Sequence, residues 1–318
     1  MTKVTGMSRI NFVRNTLLYR IALLCPILLF FADAVLADEG GRRASMGFFD
    51  VWMLSRIWVS AIFCLAGLAL LMKVWVTRRV RLLFLPVIFF VFGVLWVLPL
   101  GWFTDEMSPH PSPLCAITKP FLFARAGFEV PVVFFAVLAA FAILSVVGNK
   151  LFCGWVCPVG AAQELCHRIP LPDRMKVKLP FAATNTIRVV LFAAFIGVLI
   201  LAGVSIYDYA NPFEMLHWSY ELGALVALIA TLAAGLFIFR PFCYLICPLG
   251  LMTWLLEHVS IAKVRIDRDA CTECDICVDE SPCPSVRAIL DGKASRPDCH
   301  ACGRCIESCP EGALKFGP

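Results

Sequence analysis

Residues 271–284 read CTECDICVDESPCP and residues 299–310 read CHACGRCIESCP. The second run has the spacing Cys299-x2-Cys302-x2-Cys305-x3-Cys309-Pro310, the bacterial ferredoxin pattern without deviation. The first, Cys271-x2-Cys274-x2-Cys277-x5-Cys283-Pro284, has VDESP where three residues are usual, which lengthens one loop and removes no ligand. Thiolates two residues apart on a tight loop reach three irons of one cubane, and the distant cysteine before proline is directed to the other cluster. The expected assignment is crossed: Cys271, Cys274, Cys277 and Cys309 on one 4Fe–4S centre, and Cys299, Cys302, Cys305 and Cys283 on the second. The alternative is a pair of structural zinc sites, since Cys-x2-Cys is also a zinc spacing. Zinc motifs do not need three cysteines in close order plus a fourth before proline, twice over. AKVRID (262–267) and ALKFGP (313–318) would pair as short outer strands around the clusters. So small a core needs its metal to fold.

Upstream of this tail the composition changes. Of 318 residues, 60% are hydrophobic and 16% charged, where a soluble domain is about a quarter charged, and mean hydropathy is +0.82. Disorder, collagen and a small disulfide scaffold are excluded. Residues 261–318 carry eight basic and ten acidic residues, a net of −2 against +5 for the whole chain, so the first 260 residues carry +7. A basic apolar part beside an acidic tail does not describe a nucleic-acid binder.

A hydrocarbon core about 30 Å thick needs roughly 20 apolar residues per helix. Apolar runs lie at 20–37, 57–76, 82–103, 130–149, 187–206 and 222–239. Basic residues cluster at 76–81 (VTRRVR), from Lys150 to Lys178, and from Arg240 to Arg268, which fall on one side if the runs alternate. The positive-inside rule puts that side, and the tail, in the cytoplasm. The fold class is therefore a polytopic α-helical membrane protein of five to six spans with a C-terminal two-cluster, ferredoxin-like α+β domain. It would sit multi-pass in a bacterial inner membrane. The expected divisions are 1–37, 38–260 and 261–318. The first begins with Lys3, Arg9, Arg14 and Arg20 and ends in Val35-Leu36-Ala37, so it reads either as a cleaved signal peptide or as a retained first helix.

One repeat stands out. Phe152-Cys153-Gly154-Trp155-Val156-Cys157-Pro158-Val159-Gly160 matches Phe242-Cys243-Tyr244-Leu245-Ile246-Cys247-Pro248-Leu249-Gly250. Each copy starts where an apolar run ends, at the expected cytoplasmic rim. Residues four apart share a helix face, and proline after the second cysteine turns the chain. Cys153, Cys157, Cys243 and Cys247 would together supply four thiolates, either for a third iron–sulfur centre or for a dithiol relay. The scattered Cys25, Cys64, Cys115 and Cys166 read as packing residues.

Several spans, two Cys-x3-Cys-Pro motifs and a C-terminal pair of ferredoxin motifs resemble the NapH-type quinol dehydrogenase membrane subunit of periplasmic nitrate reduction. MauN proteins of methylamine utilisation and the C-terminal half of NosR share this plan. The resemblance covers about residues 80–318 and includes Asn211-Pro212-Phe213-Glu214-Met215-Leu216-His217; residues 1–79 extend beyond the short NapH form. It implies electron transfer between the quinone pool and a periplasmic reductase or its maturation system, with a separate iron–sulfur or periplasmic redox protein as partner. Three functions follow: a quinol-oxidising redox subunit, a membrane conduit serving maturation or reactivation of a periplasmic metalloenzyme, or a redox-sensing scaffold. The first is favoured. Quinol oxidation releases protons, and His217, on a short outer loop beside Asp208 and Glu214, has the right intrinsic pKa to accept them. Tyr207, Tyr209 and Trp218 are candidates to pack on the ring. His110 is a second candidate, and His167 and His258 lie at the opposite rim.

Overall fold

The computed structural model describes residues 47–98, 103, 106–107, 112–209, 211–217, 222–293 and 298–318. The apolar run at 20–37 and the cysteine at 25 lie outside them. Five of the six apolar runs become helices, with shifted ends. After a short α1 (Phe48–Met53) come α2 (Ser55–Met72) and α3 (Arg78–Phe89). Thr77 starts α3 by accepting from the Val80 amide at 3.3 Å, so the helix begins in the arginine run rather than after it. Pro86 removes a donor from its interior, and the helix runs on through a π turn (Phe90–Val94) and a 3-10 turn (Leu95–Val97). Between the apolar runs at 82–103 and 130–149 lies α4 (Pro113–Arg125), capped by Ser112 and opened by proline at its first position. Then follow α5 (Val132–Gly148), α6 (Leu151–Trp155) and α7 (Pro158–His167). The second half repeats the order with α8 (Phe181–Ala202), α9 (Ile206–Tyr209), α10 (Leu222–Phe237), α11 (Pro241–Leu245) and α12 (Pro248–Glu257).

Among the described residues three helical stretches, Ser55–Met72, Arg78–Val97 and Phe181–Ala202, are long and apolar enough to cross a membrane; Val132–Gly148 and Leu222–Phe237 are apolar but shorter. Their outer faces stay exposed, as with Ile62, Leu65, Val190, Leu201 and Ile229. An apolar surface of this extent fits lipid rather than water.

The described residues of the tail form β1 (Lys263–Ile266), three short helices and β2 (Leu314–Gly317). The strands pair antiparallel, Lys263 with Gly317 through Ile266 with Leu314. This unit docks into the helices. Trp155 Nε1 donates to Ala301 O at 3.0 Å, and Tyr244 Oη donates to Asp298 O at 2.9 Å. Gly154 permits the contact: a Cβ there would lie 2.3 Å from the His300 carbonyl oxygen. Gly154→Ala is therefore expected to cost about 1–3 kcal/mol as the surfaces separate. That loss is read as a lower thermal midpoint in detergent, and an unchanged midpoint would contradict the docking.

Candidate functional site

The tail cysteines form two crossed groups. Cys271, Cys274, Cys277 and Cys309 wall one small cavity, closed by Ile266 and Leu314. Cys299 lies within Coulombic reach of Cys283 and Cys302, and Cys305 within reach of all three. Cys305 is also close to Cys277, so the two groups adjoin. Positive φ at Glu273, Asp275, Ala301 and Gly303 curls the two loops around their thiols.

The repeated motifs use one backbone device twice. Asn149 and Lys150 in the first copy, and Arg240 in the second, adopt left-handed conformations that turn the chain at the end of a long helix. A five-residue helix then carries Cys153 or Cys243. The second cysteine is not on that helix: Cys157 and Cys247 are extended and stand at the N-caps of α7 and α12, because the following proline disfavours helical geometry. Cys157 and Cys247 each lie within Coulombic reach of Cys243 and Cys153. Gln163 contacts the Cys243 sulfur at 3.6 Å. All four thiols converge.

The second cysteine of each copy lies inward of the ends of α5 and α10. A Cβ on Gly93 would meet Pro158 at 3.4 Å, and Gly93 lies fifteen residues past Arg78, roughly 22 Å along the helix axis. The turns at Lys150 and Arg240 send α7 and α12 back among the long helices. The loop expected on the far side therefore meets the thiols. Tyr207 Oη donates to Ile246 O at 3.2 Å, beside Cys247. Phe213 stacks edge-on to Phe242 at 6.5 Å, and Leu216 touches the Gly93–Pro158 contact.

Around the thiols is a buried charge network. Glu164 receives Arg81 at 2.9 Å, Arg240 at 2.6 Å and Arg168 at 3.0 Å. Burial alone would raise its carboxyl, but the Arg81 and Arg240 guanidiniums hold it well below the usual carboxylate range. Asp298 of the tail receives Lys150 at 2.5 Å and Arg188 at 2.7 Å. Arg240 also donates to Cys153 O at 2.6 Å, and Arg188 to Cys243 O at 3.1 Å. The sequence reading counted Arg81, Lys150 and Arg240 only as rim charges and did not single out Glu164, Arg188 or Asp298. One signal was available: Lys150 and Arg240 occupy the same register, three residues before the first cysteine of each copy.

A family model described as a 4Fe-4S binding domain matches residues 130–178 and 221–266, the two copies of the repeat with their preceding helices. The ferredoxin-type protein NapH of Haemophilus influenzae is 28% identical over 71% of this chain and 82% of its own length. NapH of Escherichia coli is 31% identical over 53% of the chain and 62% of its own. The methylamine utilization ferredoxin-type protein MauN of Methylobacillus flagellatus is 24% identical over 44% and 51%. The chain belongs to the NapH/MauN/NosR-type polyferredoxin family. No solved structure matches it.

This polyferredoxin is an iron–sulfur electron-transfer protein, and its residues suit the cofactor. All fifteen described cysteines are free thiols. Arg81, Lys150, Arg188 and Arg240 are fully buried against Glu164 and Asp298, with Glu257 at the edge. Buried charge needs a partner, and a cubane on four thiolates, carrying about two negative charges, supplies one to the excess cations. The expected histidines fare differently. His217 ends the 3-10 turn Glu214–His217, and only its backbone is described; His110 and Trp218 lie outside the described residues. His167 is buried near Phe239. Burial and then Lys176 push its imidazole down to about 4, so it stays neutral near pH 7. His258 contacts the Trp254 carbonyl oxygen at 3.1 Å.

Proposed function

We propose that the chain carries electrons from quinol, through three 4Fe–4S centres, towards a periplasmic reductase system. Cys271, Cys274, Cys277 and Cys309 hold the first centre in this scheme, and Cys299, Cys302, Cys305 and Cys283 the second. Cys153, Cys157, Cys243 and Cys247 hold the third. Bound cubanes take up and release one electron each. The observation that carries the proposal is continuity. Cys277 adjoins Cys305, Arg240 lies within Coulombic reach of both Cys302 and Cys243, and Tyr207 bonds beside Cys247.

In this reading residues 38–260 form the spanning domain of a multi-pass inner-membrane protein and residues 261–318 a cytoplasmic tail, with residues 1–37 preceding them as signal or first span. A separate iron–sulfur or periplasmic redox protein is the partner. The second reading, a conduit for metalloenzyme maturation without quinol chemistry, uses the same centres. Quinol added anaerobically to the purified protein separates them: cluster reduction followed by EPR supports the first reading, and reduction by dithionite alone supports the second.

His217 keeps the role of proton acceptor in this scheme. Support comes from its loop, whose Phe213 and Leu216 reach Phe242 and Pro158. His217→Ala is expected to abolish quinol-driven cluster reduction while iron content and dithionite reduction stay at wild-type values. Full quinol activity in that variant would remove His217 from the mechanism.

A further inference from the structure

A cavity of about 260 Å³ lies between α1, α2 and α5. Its walls are almost wholly apolar, formed by side chains such as Val51, Val137 and Phe152. Ile143, half exposed on the apolar outer surface, forms its lip. Its polar groups are few: Trp52, Arg56, Ser60 and Glu106. Trp52 Nε1 is buried and donates to nothing among the described residues, although a buried donor is normally satisfied. A ligand carrying an acceptor oxygen would satisfy it. Glu106 stands at the other side, accepting from Ser55 N at 2.8 Å and Ser55 Oγ at 2.5 Å.

The cavity touches the redox path twice. Phe152 precedes Cys153 in the chain, and Arg56 lies within Coulombic reach of Cys157. An apolar chamber with a lateral mouth on the lipid-facing surface, one unsatisfied donor and a carboxylate suits a flat ring with oxygens on an apolar tail. We infer that this cavity binds the quinol ring, with Trp52 Nε1 donating to a ring oxygen. The inference rests on the quinol reading above but moves the ring from the His217 loop to this cavity, and with it the proton acceptor from His217 to Glu106. When quinol is oxidised, its two O–H bonds break. The oxidant would be the iron–sulfur centre that Cys153, Cys157, Cys243 and Cys247 would hold: it would accept the two electrons singly, passing the first on to a tail centre before taking the second. The two protons leave by the Glu106 carboxylate to water.

The test uses the full chain in detergent and measures decylubiquinone binding by equilibrium dialysis, with iron content recorded for each variant. Trp52→Phe keeps the ring and removes the donor, and is expected to weaken binding about tenfold. Ala140→Leu fills the chamber and is expected to weaken it at least as much. If Ala140→Leu loses iron, Trp52→Phe alone decides. Wild-type binding in Trp52→Phe, or equally tight binding of decanol, which has the tail without the ring, would each overturn the inference and leave the quinol reading standing. A wild-type chain that neither binds decylubiquinone nor is reduced by quinol ends both.

Discussion

Cys243→Ser is expected to lower the iron content of the anaerobically purified chain from about twelve to about eight atoms, the loss of one cubane. It should also remove one EPR signal and leave two. Cys243 lies within reach of Cys153, Cys157 and Cys247, with Gln163 against its sulfur. A serine hydroxyl there is a poor ligand for a soft metal site. Its loss leaves Arg240 and Arg188 buried beside an incomplete anion. Quinol should then no longer reduce the tail centres, although dithionite still should. Eight irons in the wild type, unchanged in the variant, would replace the shared centre with a dithiol relay. Zinc in place of iron would end the iron–sulfur assignment altogether.

Asp298→Asn should be the most destabilising single substitution outside the cysteines. The carboxylate is fully buried and receives Lys150 and Arg188, two cations from different halves of the helical part. Removing one partner of a buried ion pair costs about 3–5 kcal/mol, because the remaining charge is left without compensation. Both cations keep a backbone partner, Lys150 at Gly250 O and Arg188 at Cys243 O, so the helices should hold while the tail loosens. Two measurements check this. The thermal midpoint should fall further than in Gly154→Ala, and protease should release the tail from the membrane fraction. A midpoint within error of wild type would mean that Asp298 does not anchor the tail.

What could be read in the sequence was what local geometry dictates. The crossed grouping of the tail thiols follows from cysteine spacing and the proline after each fourth cysteine, and the strands at 263–266 and 314–317 follow from short apolar segments flanking them. Five helices followed from apolar runs. Their ends were less legible, because Arg188 reads as a boundary by polarity yet is buried inside α8 on Asp298. The helix at Pro113–Arg125 was hidden by its prolines, one at the first helical position and one, Pro120, within it.

The sequence by itself determined the iron–sulfur chemistry and the pairing of the two motif copies, since both depend on residue types and spacings within a dozen positions. Only the tertiary structure decided where those motifs sit. Left-handed turns at Lys150 and Arg240 draw the four thiols inward, and the partners that make this tolerable come from far along the chain: Arg81 for Glu164, and Asp298 for Lys150 and Arg188. No periodicity encodes such pairs. A buried charge is stabilised by whichever opposite charge the fold brings to it, and sequence order carries no record of that distance.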